Sequence, residues 1–308
     1  MVRKVINLLI LVVAIVLVYF YWHKFLSLAD TTLKYLKNII LKYVLLAFFV
    51  YLTVIVVIAA RWKTILGYLD YRFKTASLVP IIFGTVPINN LTPANRMGGE
   101  PLRILWIKEK FDVSYTPAIM SVLFERISEA IPGVILIGFT LYFMISFFQP
   151  DYNLIRIIKY ILIIILVLSL AFYIFRTKLT SLRVGFGAYS TKLRPALVPA
   201  LLYSIFIWVL DATRLKLIAM SFGVPISFKL IIIVTILFIV LGAIPLTPGG
   251  LGIVEGGVIP VLNAFGIPLG VAIGIVVVER FISYFLGSII GLFFLLHFGG
   301  LKIWKNKG

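Results

Sequence analysis

Leu91-Thr92-Pro93-Ala94-Asn95-Arg96-Met97-Gly98-Gly99-Glu100 and Leu246-Thr247-Pro248-Gly249-Gly250-Leu251-Gly252-Ile253-Val254-Glu255 are two copies of one stretch. Each opens on Leu-Thr-Pro, and in each the Glu comes seven residues after the Pro. A second block follows both copies. Phe111 leads after fourteen residues to Glu125-Arg126, and Phe265 after fourteen to Glu279-Arg280. Within it Val113, Ala118, Val122 and Gly133 match Ile267, Ala272, Val276 and Gly287. Pro93 and Pro248 are 155 apart, and Glu125 and Glu279 are 154 apart. Apolar helices resemble one another by chance, but charged pairs and Gly/Pro turns do not fall into one register that way. The pattern predicts an internal duplication, with halves of approximately 43–148 and 195–297.

Working outward, the chain has 308 residues, of which 62% are hydrophobic and 13% charged, with a mean hydropathy of +1.13. Soluble domains carry about 25% charged residues, so this chain cannot cover a water-facing surface. It reads as an all-α polytopic membrane protein. Lys and Arg total 29 against 11 Asp and Glu. Such an excess suits cytoplasmic loops facing anionic head groups. The basic residues are scattered among apolar spans, which argues against nucleic acid as a partner. The chain has no Cys, so it holds no disulfide and no thiolate metal site. His23 and His297 stand alone, and no metal site is expected. Neither Gly-rich stretch has the Lys and Ser/Thr spacing of a phosphate-binding nucleotide loop, and no cofactor is expected.

A membrane helix needs about 20 mostly apolar residues. Val5–Trp22, Tyr43–Ala60, Pro117–Phe148, Arg156–Phe175, Pro195–Phe222 and Pro268–His297 meet this. His23–Lys42 has the spacing of an amphipathic interfacial helix, so residues 1–42 read as an N-terminal helix plus that segment. Thr75–Asn95 and Leu230–Val254 are uncharged but broken by Pro and Gly. Interrupted segments at matching places in two halves point to a transporter-like binding site. Both are expected to form re-entrant helical hairpins, with returning arms near Gly98–Lys110 and Leu251–Phe265. The expected architecture is thus about six spanning helices plus two re-entrant hairpins. The basic segments Arg61–Lys74 and Arg176–Arg194 are placed in the cytoplasm. Counting crossings from them puts both termini inside and makes the two copies an inverted internal repeat.

Most of the acids lie in or beside apolar segments: Glu100, Glu125, Glu129, Asp211, Glu255 and Glu279. A charge at the membrane centre costs about 2.5–3.5 kcal/mol on insertion scales and normally faces protein or a wet cavity. Adjacent residues such as Glu125 and Arg126 point about 100° apart on a helix. Each Arg is therefore expected to meet an acid from another segment, Glu100 or Glu255 on the hairpins. Asp211 and Arg214 form an i,i+3 pair or line the cavity. Gly98, Gly99, Pro248, Gly249, Gly250 and Gly252 make the hairpin turns. Their N–H groups are a candidate cradle for a lipid phosphate.

Asn90-Leu91-Thr92-Pro93, Gly98-Gly99-Glu100-Pro101-Leu102-Arg103 and Glu125-Arg126 resemble the first-half signature of the lysylphosphatidylglycerol synthase transmembrane family, also called flippase-like. The string Ile244 to Gly257 with Glu279-Arg280 resembles its second half, and Arg61-Trp62 is similar to the family's Arg-Trp. The resemblance covers nearly the whole chain, which reads as a single flippase-like transmembrane domain, 1–308. It implies a membrane region that moves a lipid between leaflets, here without the cytosolic transferase domain of the multidomain members. The expected function is translocation of an anionic phospholipid or lipid-linked head group, in the plasma membrane. Arg96, Arg103, Arg126 and Arg280 would contact phosphate, while Glu100, Glu125, Glu255 and Glu279 hold those arginines or bind a cationic part of the head group. Two other classes stay open: a membrane transferase or hydrolase acting on a lipid-linked substrate, and a non-transporting partner of a separate glycosyl or aminoacyl transferase subunit. The oligomeric state is not legible.

Overall fold

The computed structural model describes residues 26, 28–92, 98–148, 189–244 and 246–297. The expected spans Val5–Trp22 and Arg156–Phe175, and most of the basic connector Arg176–Arg194, lie outside the described residues, as does Arg96. The described residues form α1 (28–37), α2 (Leu41–Tyr68), α3 (Thr75–Leu91), α4 (Gly99–Phe111), α5 (Tyr115–Phe148), α6 (Leu197–Ser221), α7 (Phe228–Gly242), α8 (Ile253–Ala264) and α9 (Leu269–His297). No β-strand occurs among them.

Among the described residues, four stretches are long and apolar enough to cross a bilayer: Leu41–Tyr68, Tyr115–Met144, Tyr189–Ser221 and Leu269–His297. Their surfaces are inverted relative to a soluble protein. Phe49, Ile135, Leu202 and Phe293 are exposed, whereas Arg61, Arg103, Glu125 and Glu279 are buried. Water would penalise that arrangement, but hydrocarbon around the outside favours it. The chain is an all-α polytopic membrane protein.

Two further units are helical hairpins, α3–α4 and α7–α8. The outgoing arm α3 has 17 residues, about 25 Å at 1.5 Å per residue, short of the ~30 Å hydrocarbon core. α7 has 15 residues and α8 has 12. Their prolines do not break the arms as the sequence suggests. Pro80 and Pro87 sit inside α3, and Pro260 inside α8. Pro87 has no N–H to give the carbonyl of Phe83, four residues back. At that point α9 comes in close. A Cβ added at Gly291 would lie 2.4 Å from Phe83 O and 2.5 Å from Pro87 Cδ. Only a residue without a side chain lets the two backbones approach this far. Gly291→Ala should therefore lose about 1–3 kcal/mol in reversible unfolding. Gly138→Ala, on α5 with nothing within 4 Å of the added Cβ, should be neutral or slightly stabilising.

The halves are related by antiparallel packing of equivalent helices. α2 runs along α6 in the opposite sense. The N–H of Ile40 bonds Ser221 O at one end, and Ile65 and Leu69 cluster with Leu193, Ala196 and Ala200 at the other. Between these ends the Nη1 of Arg61 donates to Ser204 Oγ at 2.9 Å, and the Arg214 guanidinium lies 5.6 Å from the Tyr51 ring centre. Arg61 and Arg214 are 153 residues apart, and so are Tyr51 and Ser204. Exchanging the halves therefore carries one contact onto the other. Antiparallel helices that exchange contacts in this way are what an inverted repeat requires. One feature breaks it: α9 carries a six-residue π-turn, Phe281–Leu286, where the matching part of α5 stays α-helical.

Candidate functional site

Most of the charged residues that the spacing singles out meet around one cavity of about 600 Å³ between the halves. In the first half Glu125 on α5 is its anchor, with no exposed surface. Its Oε1 accepts from Arg61 Nη2 at 2.7 Å and Nε at 3.2 Å, and its Oε2 accepts from Arg103 Nη2 at 2.7 Å. Arg61 comes from α2 and Arg103 from α4, so one carboxylate ties three elements together. The Arg103 guanidinium also stacks 4.1 Å from the Trp62 ring centre, a cation–π contact. Beside it Arg126 donates from Nε to Glu100 on the first hairpin and from Nη1 to Glu129 Oε2 at 2.8 Å.

The second half repeats this with differences. Arg214 Nη2 lies 3.3 Å from Glu279 Oε1 and 3.3 Å from Asp211 Oδ1. Arg280 Nε donates to Glu255 Oε1 on the second hairpin at 2.8 Å. Glu100–Arg126 and Glu255–Arg280 occupy equivalent places. Each fastens the returning arm of a hairpin to the long helix that follows it. Glu255 also accepts the Gly252 N–H at 2.6 Å, a carboxylate capping the first turn of α8.

The two hairpin tips touch. Gly249 N–H donates to Thr92 O at 3.1 Å. α9 grips both tips, since Tyr284 OH in its π-turn donates to Gly249 O and Asn90 Nδ2 donates to Ser288 Oγ, just beyond that turn, at 2.9 Å. Gly249, Gly250 and Gly252 have φ of +58°, +72° and +82°, which side chains rarely adopt. The structure gives their N–H groups internal acceptors. Gly250 donates to Thr247 O, Gly252 to Glu255 and Gly249 to Thr92. Gly99 N–H is likewise taken, by Asn89 Oδ1 at 2.8 Å. The N–H groups of Gly99, Gly249, Gly250 and Gly252 are thus occupied within the turns. None of these glycines, nor Gly98, Pro248 or Glu255, lines the cavity, which Glu100, Arg103, Glu125, Arg126, Asp211, Glu279 and Arg280 do.

Arg61 is the residue that the composition argument misplaces. It is not part of a cytoplasmic basic segment, because α2 continues to Tyr68 and leaves it 2% exposed inside the protein. Its register against Arg214 carries the signal that identifies it. Arg214, too, belongs to the ion-pair system through Glu279, beyond its own helix.

The chain matches the family described as the lysylphosphatidylglycerol synthase TM region over residues 5–291. A UPF0104 membrane protein of Pyrococcus horikoshii is 24% identical over 97% of this chain and 96% of its own length. A UPF0104 membrane protein of Methanothermobacter thermautotrophicus is 29% identical over 83% and 86%. One of Methanocaldococcus jannaschii is 26% identical over 85% and 86%. With a duplicated, inverted helical frame and a match that runs through both halves, the chain belongs to the lysylphosphatidylglycerol synthase TM region family.

Proposed function

We propose that this protein carries the phosphate-bearing head group of a membrane lipid between leaflets, with the acyl or isoprenoid chains remaining in the bilayer. The observation that supports this is a set of unmet donors. Arg103 Nε, Arg214 Nε and Arg280 Nη2 are buried and make no hydrogen bond among the described residues, and all three residues line the cavity. A buried guanidinium N–H without an acceptor costs about 1–3 kcal/mol or more. Phosphate oxygens satisfy such donors strongly and in the fork geometry that Arg presents. Hairpins at matching places in inverted halves suit a site that opens alternately to either side. On this reading the whole chain, 1–308, is one domain of the cell membrane, both termini are cytoplasmic, and its partners are membrane lipids.

Native mass spectrometry of the purified protein tests the reading. Phosphatidylglycerol should be retained through desolvation, while diacylglycerol, which lacks the phosphate, should not. Losing one charge-assisted bond, about 1.5–3 kcal/mol, lowers affinity roughly 10- to 100-fold. Arg280→Gln should show that loss. Equal retention of both lipids would contradict the proposal.

A further inference from the structure

The two halves are not equally charged. Stripped to what they share, each has two pairs: Arg61–Glu125 and Arg126–Glu100 in the first, Arg214–Glu279 and Arg280–Glu255 in the second. To these the first half adds Arg103 and Glu129, which cancel. The second half has Val258 and Ser283 at those places, 155 and 154 residues on. It adds Asp211 alone, where the first half has the neutral Ile58, 153 residues earlier. The second half therefore carries one carboxylate more than its arginines neutralise.

The geometry locates that surplus. Glu125 has two guanidiniums at 2.7 Å, whereas Glu279 shares Arg214 with Asp211 at 3.3 Å each. Glu279 is 6% exposed, and its Oε2 is buried with no hydrogen-bond partner among the described residues. Among the described residues, the charged and titratable groups set near it are Arg214 and Asp211 from α6, Tyr51 from α2 against Arg214, Arg280 and Tyr284 from its own helix, and Glu255 beyond Arg280. Arg280 is already engaged by Glu255 and by Gly249 O at 3.3 Å. A buried, uncompensated carboxylate is among the costliest arrangements a protein can hold.

We propose that Asp211 and Glu279 form a seat for one univalent cationic group, closing on Glu279 Oε2, in the second half of the cavity. The group is an inorganic ion such as sodium or the ammonium of a lipid head group. In either case a positive charge there completes the balance that Arg103 provides in the first half. The inference builds on the cavity described above, but it requires binding only and no movement of lipid.

The test follows thermal unfolding of the purified full chain in detergent at fixed pH and ionic strength. One arm replaces choline chloride with sodium chloride. The other adds phosphatidylethanolamine or, for comparison, phosphatidylglycerol, which lacks the amine. A ligand about 100-fold above its Kd should raise the apparent Tm by roughly 3 °C or more. The wild type should show that shift in at least one arm: sodium alone marks an ion site, and ethanolamine lipid alone marks a head-group ammonium site. Asp211→Asn and Glu279→Gln should abolish it. Asp211→Asn keeps the Arg214–Glu279 pair, so it reports even where Glu279→Gln folds poorly. No cation-dependent shift in either arm, or the same shift in both variants, would overturn the proposal. Because no transport is read, that failure is distinct from a failure of lipid carriage.

Discussion

Glu125→Ala should be the most damaging single substitution in the chain, costing about 3–5 kcal/mol of stability. The carboxylate is wholly buried and takes three hydrogen bonds, two from Arg61 and one from Arg103. Removing it strands two guanidiniums that are 2% and 4% exposed. Among the described residues, Arg61 would keep only Ser204 and a 3.5 Å contact to Glu129, and Arg103 only the Trp62 ring. α2, α4 and α5 lose their common tie together, so the damage is not confined to one helix. Glu125→Gln keeps the shape and part of the hydrogen bonding and should fall between wild type and alanine. Asp70→Asn supplies the contrast, since the Asp70–Lys192 pair is solvent-exposed and its loss should leave stability unchanged. Reversible unfolding in mixed detergent measures all three. A loss below about 1 kcal/mol for Glu125→Ala would mean that the pair is not buried as described.

The second large effect is expected at the hairpin tips. Gly249 has φ +58°, and an added Cβ would lie 2.5 Å from Tyr284 Cε1 and 2.7 Å from Asn90 O. The Tyr284 ring can swing away, but the Asn90 carbonyl is backbone and can yield only if the tips part. Gly249→Ala thus adds a steric cost to the ~1 kcal/mol or more of forcing a side chain into the left-handed region. Gly252→Ala isolates the conformational part, because its φ is +82° but nothing lies within 4 Å of the added Cβ. The difference between the two variants should be at least about 1 kcal/mol. Gly249→Ala should also weaken the Thr92–Gly249 contact. Since the chain has no Cys, cysteines placed at the two tips can report that separation without background labelling. Equal stability of the two variants would remove the tip contact from the account.

The sequence and the structure agree best where periodicity and register carry the information. The hairpin arms expected at Gly98–Lys110 and Leu251–Phe265 are Gly99–Phe111 and Ile253–Ala264. Register also pairs Glu100 with Arg126 and Glu255 with Arg280, because a carboxylate and a guanidinium repeated together need a common reason. Arg61 escapes because a hydropathy window ends at the first charge. Ending helix two at Ala60 leaves Arg61 in a loop, while the helix in fact runs to Tyr68 and buries it. The prolines of α3 mislead in the opposite direction. Pro80 and Pro87 are accommodated within the helix, and α9 packs closely through Gly291 against Phe83 O and Pro87. The π-turn and the tip-to-tip contact have no local signature, since both depend on how the two hairpins meet.

The proposed function requires the ion-pair cavity to be the route of a lipid head group. Movement of fluorescent phosphatidylglycerol in proteoliposomes, read by quenching the outer leaflet, tests it directly. Wild type should expose inner-leaflet label faster than protein-free vesicles, with the rate falling roughly tenfold or more in Arg126→Gln and Arg280→Gln. Rates in both variants equal to wild type, or no movement by wild type over empty vesicles, would contradict it.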